Sequence, residues 1–209
     1  MFFAIDNWIT GNGSRFVKLT QSFKNVFFYE IDILKSDNMY FGPVDEIYHL
    51  ASIASPKFYM KYPLQTLDVG YIGTKNMLEI AKKYSAKFLF TSTSEIYGDP
   101  TVPIQSESYF GNVNTVGKRS CYDESKRVAE SLVYTYNIMY DVNTRIARIF
   151  NTYGPYMAFD DGRIIPAIMK SIINKEPLSI FGDGNQTRCF CYVDDTVDGL
   201  IKLMNSSYT

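Results

Sequence analysis

Short apolar runs alternate with longer segments of helical periodicity along the chain. Continuous apolar runs predict strands over residues 1–5, 26–31, 46–50, 87–90 and 144–150, and two further strands over 178–181 and 189–192. Apolar residues at helical spacing predict helices over residues 64–84, 123–140, 163–174 and 195–204. Because strands alternate with helices, the pattern predicts an α/β fold with a doubly wound parallel sheet.

Several of the predicted strands end in small or polar residues. These ends are Asp6, Asp32, Ala51-Ser52, residues 91–95 and Asn151. Parallel strands place their carboxyl ends along one edge of the sheet, where α/β proteins bind ligands, so the pattern predicts one polar rim. Asp6 has two interpretations there: an acid that ends the second strand of a dinucleotide fold binds a ribose, and the same acid also serves as a turn cap.

Composition narrows the class of protein. The chain has 209 residues, of which 46% are apolar and 21% charged, with a formal net charge of −1, as in a soluble globular domain rather than a disordered one. The near-neutral charge argues against nucleic acid as a main partner, and no apolar run approaches the ~18 residues of a membrane span. One histidine and three cysteines are too few for a His-rich or four-Cys zinc site or a disulfide framework. We therefore expect no metal and a reducing compartment, the cytoplasm.

Tyr122 and Lys126 form a Tyr-x-x-x-Lys pair, which shares one face of a helix. A lysine ammonium there favours the phenolate, which makes the tyrosine a usable base. The spacing alone is weakly specific, because Tyr71 and Lys75 repeat it. Only the first pair follows, by about thirty residues, a strand that ends in hydroxyls and a carboxylate. We therefore expect Tyr122 to act together with residues 93–95.

Longer motifs resemble the extended short-chain dehydrogenase/reductase family. The matching segments are residues 6–11, 48–52, 54–60, 92–100, 121–130, 148–155 and 184–188, in the family's order. Within it, the chain looks most like the UDP-glucuronate decarboxylases. The order Thr93-Ser94-Glu95 carries that choice, since nucleotide-sugar 4,6-dehydratases usually have an Asp-Glu pair after the threonine and 4-epimerases usually lack the glutamate.

The resemblance implies NAD as cofactor, a UDP-sugar as substrate and a homodimer. The implied reaction converts UDP-glucuronate to UDP-xylose through a 4-keto intermediate. The implied catalytic residues are Tyr122, Lys126, Thr93, Ser94 and Glu95. Besides Tyr122 and Lys126, the implied NAD-binding residues are Asp6, Asn7, Asp32, Ile33, Leu50, Ala51 and Ser52. The implied substrate-binding residues are Tyr59, Asn151 and Arg188.

The chain departs from the family pattern at both ends and inside one helix. Only five residues precede Asp6, so we expect a Rossmann-like sheet without its first βα unit, whose strand lies centrally in the usual order. That loss predicts a gap flanked by unpaired strand edges. Residues 1–155 are expected to form a partial NAD-binding domain, and residues 156–209 the start of a smaller C-terminal substrate lobe. Gly70 stands where the family commonly has an asparagine that supports the active site.

Two classes of function stay open at this point. The first is an enzyme, either part of a longer chain or completed by a second chain, and a 4,6-dehydratase or 4-epimerase is the alternative activity. The second is an inactive fragment that serves only as an interaction module. The combination of Tyr122, Lys126, Thr93 and Glu95 favours an enzymatic origin, whereas the absent phosphate loop favours inactivity of the isolated chain.

Overall fold

A computed structural model describes residues 1–11, 13, 16, 21–35, 42–180 and 182–208. The described strands are β1 (Phe2–Asp6), β2 (Val26–Glu30), β3 (Glu46–His49), β4 (Lys87–Thr93), β5 (Thr144–Ile149), β6 (Asn151–Tyr153) and β7 (Phe190–Tyr192). The described helices are α1 (Pro56–Tyr59), α2 (Pro63–Asp68), α3 (Thr74–Tyr84), α4 (Ser120–Tyr140), α5 (Ile164–Asn174) and α6 (Val193–Met204). A π-helical turn (Val69–Gly73) and a 3-10 turn (Ser94–Tyr97) complete the described elements.

Every strand pair is parallel: β1 with β2, β3 with β4 and then β5, and β6 with β7. The predicted α/β architecture is therefore confirmed. None of the helices within the described ranges is both long and apolar enough to cross a membrane.

The main hydrophobic core lies on one face of β4, the middle strand of its sheet. Phe88 and Phe90 pack there against buried residues of α3 and α4. Leu89 faces the opposite side and packs against Leu200 and Met204 of α6. Apolar side chains of one strand are thus buried on both faces, as in sheets covered by helices on each side. This double cover fixes the carboxyl end of β4, where the predicted catalytic hydroxyls lie.

The helix predicted over residues 64–84 is present but interrupted. Pro63 opens α2 at a position that needs no backbone donor, and the π-helical turn separates α2 from α3. Gly70 lies inside this turn and packs directly on α4. A Cβ at Gly70 would lie 2.6 Å from both the Cβ and the backbone oxygen of Ser125. The glycine therefore permits a close helix crossing beside the segment that carries Tyr122 and Lys126.

Two expectations for the C-terminal region are wrong. Residues 178–180 form no strand, and Phe181 lies outside the described residues. The side chain of Ile180 is 64% exposed, so this short apolar run has no layer to pack against. The strand predicted over 189–192 starts one residue late, and Cys189 and Cys191 at its beginning are both exposed. Residues 189–192 therefore begin to pair with β6 only at Phe190, and all three residues of β7 are exposed to solvent.

The expected gap in the sheet is confirmed. On the described residues, β1 pairs only with β2, and β3 pairs only with β4. A cavity of about 840 Å³ lies between the two pairs. Its apolar part is lined by Ala4 and Ile5 of β1, Ile47 of β3, and Val69 and Met77. Each of the two strands thus keeps one edge without a neighbouring strand.

Candidate active site

The carboxyl ends of β1, β2 and β3 form the polar part of the cavity. All seven residues expected to bind NAD besides Tyr122 and Lys126 line it: Asp6, Asn7, Asp32, Ile33, Leu50, Ala51 and Ser52. They come from three separate strand ends and meet because parallel strands terminate at one edge. The structure therefore assembles this predicted set in one place, at a size usual for cofactor pockets.

The acids of this set also cap turns. Asp6 Oδ1 accepts a hydrogen bond from the backbone nitrogen of Trp8 at 2.8 Å. Asp32 Oδ1 does the same for Leu34 at 3.0 Å. Both interpretations of Asp6 are thus compatible, since one carboxylate oxygen orders the chain after the strand while the residue lines the cavity. These capped turns hold two carboxylates at strand ends, where an acid suits the ribose hydroxyls of a dinucleotide.

Tyr122 lies in the first turn of α4 and is buried. Its ring stacks on Tyr59, with centroids 5.0 Å apart and planes inclined by 10°. Burial raises the pKa of Tyr122, and a hydrogen bond with Thr93 and the positive charge of Arg163 oppose that rise. The phenol is thus held by a stacked ring and by the strand-end hydroxyl that sequence reasoning paired with it.

Lys126 lies one helical turn beyond Tyr122 and is also buried. Its Nζ donates to the backbone oxygen of Thr91 at 2.8 Å and lies 4.9 Å from the centroid of the Phe90 ring. Burial lowers the pKa of Lys126 to about 8. The lysine thereby ties α4 to β4, and the expectation that it favours the Tyr122 phenolate stays a prediction.

Ser94 and Glu95 begin the 3-10 turn that follows β4. The Thr93 hydroxyl caps this turn by accepting from the Glu95 nitrogen at 3.3 Å. The Glu95 carboxylate forms an ion pair with Arg119, the residue before α4. Glu95 therefore lies near the start of the helix that carries Tyr122, and its charge is balanced by an arginine.

The three residues expected at the substrate occupy two places. Tyr59 is buried against Tyr122. Asn151 begins β6, and its Nδ2 donates to the backbone oxygen of Cys189 at 3.1 Å. Arg188 lies next to Cys189 and is exposed, with its guanidinium bonded to Thr187. The structure thus brings Tyr59 to Tyr122, and groups Asn151 with Arg188 at the start of the β6–β7 pair.

Sequence reasoning missed two arginines near Tyr122. Arg119 precedes Tyr122 by three residues, a helical spacing that was a usable signal. Arg163 comes from a distant loop, where no sequence pattern points to it. Its guanidinium is paired with the buried carboxylate of Asp161, whose backbone oxygen accepts from Ser55 Oγ at 2.9 Å. Of the two, Arg163 opposes the rise in the pKa of Tyr122, whereas Arg119 is paired with Glu95.

Comparison with known proteins shows the family of this chain. Residues 9–208 match the model of the NAD dependent epimerase/dehydratase family. The chain belongs to this family. It is 53% identical over 169 residues to UDP-glucuronic acid decarboxylase 6 of Arabidopsis thaliana, an alignment that covers 81% of this chain and 49% of that protein. The chain spans about half the length of the curated relatives it matches.

Solved structures of family members share the fold. A UDP-glucuronic acid 4-epimerase of Bacillus cereus, solved with UDP-glucuronic acid and NAD, superposes with a TM-score of 0.79 at 28% identity, covering 99% of this chain and 65% of that one. A UDP-N-acetylglucosamine 4-epimerase of Methanobrevibacter ruminantium superposes with a TM-score of 0.86 at 24% identity, covering 99% and 66%, which shows the fold alone. The Rossmann-like class expected from the sequence is thereby confirmed.

Proposed function

We propose that this chain contributes the catalytic centre of an NAD-dependent UDP-glucuronate decarboxylase that produces UDP-xylose. The observation that carries the proposal is the buried Tyr122 phenol stacked on Tyr59, with Lys126 one helical turn away and bonded to the Thr91 oxygen near the carboxyl end of β4. The identity of about half of the aligned residues to curated UDP-glucuronic acid decarboxylases supports this reaction over epimerisation or dehydration.

Tyr122 is the base in this proposal and removes the proton of the sugar C4 hydroxyl, while Thr93 orients the same oxygen. Bound NAD supplies a hydride acceptor for C4 and returns the hydride after decarboxylation. The 4-ketone lies β to the carboxylate on C5, so the C5–carboxylate bond can break with its electrons passing into the ketone as an enolate while carbon dioxide leaves. C5 then takes a proton, and Tyr122 returns its proton to the C4 oxygen when the hydride returns to C4. Lys126 and Arg163 favour the phenolate, and Ser94 and Glu95 face the ring.

Residues 1–155 form the NAD-binding part in this proposal, and residues 156–209 begin a substrate lobe. Asp6 and Asp32 would hold the adenosine ribose, with Asn7, Ile33 and residues 50–52 around the cofactor. Tyr59, Asn151 and Arg188 would contact the UDP-sugar, where the exposed guanidinium of Arg188 suits a diphosphate. The lining of the cavity by all seven strand-end residues supports the cofactor assignment.

Three further parts of the proposal concern partners and location. One extended polypeptide segment would fill the cavity between β1 and β3, either from a longer chain or from a second chain. A second copy would cover the exposed apolar side chains of α2 and α4, which include Leu64, Tyr134 and Ile138. The three free cysteines support a reducing compartment, the cytoplasm.

Incubation of the protein with UDP-glucuronate and NAD, with the cavity between β1 and β3 filled by the longer polypeptide or by a supplied segment, tests the proposed activity, with products resolved by mass spectrometry. We expect UDP-xylose and carbon dioxide, and a rate lowered about 10²- to 10⁴-fold by Tyr122→Phe because proton transfer is lost. Tyr71→Phe is the matched control, since Tyr71 belongs to the second, exposed Tyr-x-x-x-Lys pair. A C4-epimer or a dehydrated sugar as product would favour the alternative reactions, and no product beside an active reference enzyme would overturn the proposal.

A further inference from the structure

Helix α4 carries a second basic residue directly after Lys126. Arg127 NH1 donates to the backbone oxygen of Ile96 at 2.8 Å and to that of Phe110 at 3.2 Å. Ile96 follows Glu95 in the 3-10 turn, so one guanidinium joins α4 to the turn and to the loop that passes over it. The helix that positions Tyr122 is therefore bonded to the segment that positions Glu95.

Glu130, three residues further along α4, holds a second arginine against the same turn. Its two carboxylate oxygens accept from Arg148 Nε at 3.0 Å and Arg148 NH2 at 2.8 Å. Arg148 NH1 donates to the Tyr97 hydroxyl and to the backbone oxygen of Glu107, both at 3.0 Å. The Glu130 and Arg148 side chains are only 14% and 25% exposed. A bidentate, largely shielded pair of this kind is geometrically specific.

Backbone hydrogen bonds also join the loop that follows the 3-10 turn, residues 98–119, to the turn itself. Asn112 donates its backbone nitrogen to the oxygen of Tyr97 at 2.8 Å and accepts from Asp99 at 2.9 Å. A Cβ at Gly98 would lie 2.1 Å from the Asn112 oxygen, and Gly98 has a φ of +65°, so only glycine suits this crossing. The same loop ends in Arg119, the ion-pair partner of Glu95.

We propose that Arg127 and the Glu130–Arg148 pair are positioning residues that fix Thr93 and Glu95 relative to Tyr122. This inference rests on the proposed function, because it assigns the three groups to one reaction. Arg127 bonds to Ile96 and Arg148 bonds to Tyr97, the two residues that follow Glu95 in the 3-10 turn. A four-residue 3-10 turn has weak internal bonding, and the Gly98 nitrogen donates to the Glu95 oxygen as its capping bond at 3.0 Å. External bonds from α4 and β5 therefore set where the turn sits.

The test replaces each arginine and measures the turn directly. Arg127→Met and Arg148→Met keep the apolar stem and remove the donors, and Arg127→Lys restores one donor. Arg145→Met is the matched control, because Arg145 lies on the same strand as Arg148, is buried, and bonds to the oxygens of Leu203 and Ser206 instead. The readouts are hydrogen exchange of the amides of residues 94–97 and, where turnover is measurable, kcat and KM for UDP-glucuronate.

We expect Arg127→Met and Arg148→Met to speed exchange at residues 94–97 about tenfold, with partial recovery in Arg127→Lys and no local change in Arg145→Met. Turnover should fall about tenfold with KM within twofold, because binding groups are retained and alignment is lost. Unchanged exchange, or the same change in Arg145→Met, would overturn the proposal. If a methionine variant does not fold, Arg127→Lys decides. Exchange requires neither NAD nor turnover, so an inactive chain leaves this result interpretable.

Discussion

Two ionisable side chains lie buried beneath the site, and both have partners that explain their burial. Lys126 donates to the Thr91 oxygen, while the Thr91 hydroxyl donates to the His49 oxygen at 3.1 Å. His49 Nε2 lies 2.9 Å from the Thr74 hydroxyl, which ties β3 to the start of α3. With a pKa of about 8, Lys126 is mostly protonated at pH 7. At the scale of residues, the proposed catalytic lysine therefore rests on a layer of hydrogen bonds that ordinary pH leaves intact.

Acid should weaken this layer through the chain's single histidine. Burial and the nearby charge of Lys126 lower the pKa of His49 to about 3, against about 6.5 when unfolded. Between these two pH values the folded state thus binds fewer protons than the unfolded state. The contribution of neutral His49 to the free energy of unfolding is therefore fully present above pH 6.5 and is lost as the pH falls towards 3. The free energy of unfolding should then decrease by up to about 1.4 kcal/mol for each pH unit below 6.5. Urea unfolding from pH 7 to 4.5 measures it, with His49→Gln as the variant that should show a shallower decline. Equal slopes in both proteins would contradict this expectation.

At the scale of elements, the close crossing of the π-helical turn over α4 shapes the site. Tyr122 and Lys126 lie on either side of Ser125, the residue that Gly70 touches. Ser125 Oγ in turn donates to the Tyr122 backbone oxygen at 2.7 Å. The crossing therefore sets how closely α4 approaches the π-helical turn.

Gly70→Ala should destabilise the protein by about 1–3 kcal/mol, because the new methyl group would overlap backbone atoms that cannot rotate away. Gly199→Ala is the control: it lies within α6 and a Cβ there meets nothing within 4 Å. That change should be neutral or stabilising by up to about 1 kcal/mol through helix propensity. Chemical denaturation of both variants measures the difference, and equal stability of the two would show that the crossing adjusts freely.

An apolar surface on α2 and α4 belongs to the same scale. Leu64 and Leu67 of α2 and Tyr134 and Ile138 of α4 are exposed at helical spacing on two helices that pack together. Sedimentation equilibrium should find a dimer that Ile138→Lys converts to a monomer, since a charge buried without a partner is costly. Ile172→Lys on α5 is the control, because Ile172 is similarly exposed outside this surface. A monomeric parent protein, or a dimer unaffected by Ile138→Lys, would argue against this surface.

At the scale of the whole molecule, the sheet is divided by the cavity between β1 and β3. The strand edges on either side can bond a further strand in parallel, and the apolar lining suits alternating buried side chains on that strand. The same cavity reaches the polar strand ends, so we expect the proposed cofactor binding and completion of the sheet to be coupled. A strand bound in the apolar part of the cavity should order the polar strand ends, and a cofactor bound at those ends should order the strand edges.

Calorimetry of NAD binding tests this coupling. We expect weak or undetectable binding to the chain alone, because a glycine-rich turn that binds pyrophosphate is missing upstream of Asp6 in this sequence. A peptide of five β-branched residues followed by Gly-x-x-Gly-x-x-Gly should raise the affinity at least about tenfold. A peptide of the same composition in scrambled order is the control. Tight NAD binding without peptide would contradict the prediction.

The sequence by itself determined the parallel α/β class, most strand and helix positions, the Tyr122–Lys126 spacing and the strand-end residues around the cavity. These features depend on local periodicity and on where strands end, which a linear sequence records. The tertiary structure alone decided the stacking of Tyr59 on Tyr122, the approach of Arg163 and the π-helical turn at Gly70. It also decided the exposure of Cys189 and Cys191. Each of these depends on contacts between distant segments, and a local pattern carries no record of which distant segment will be the neighbour.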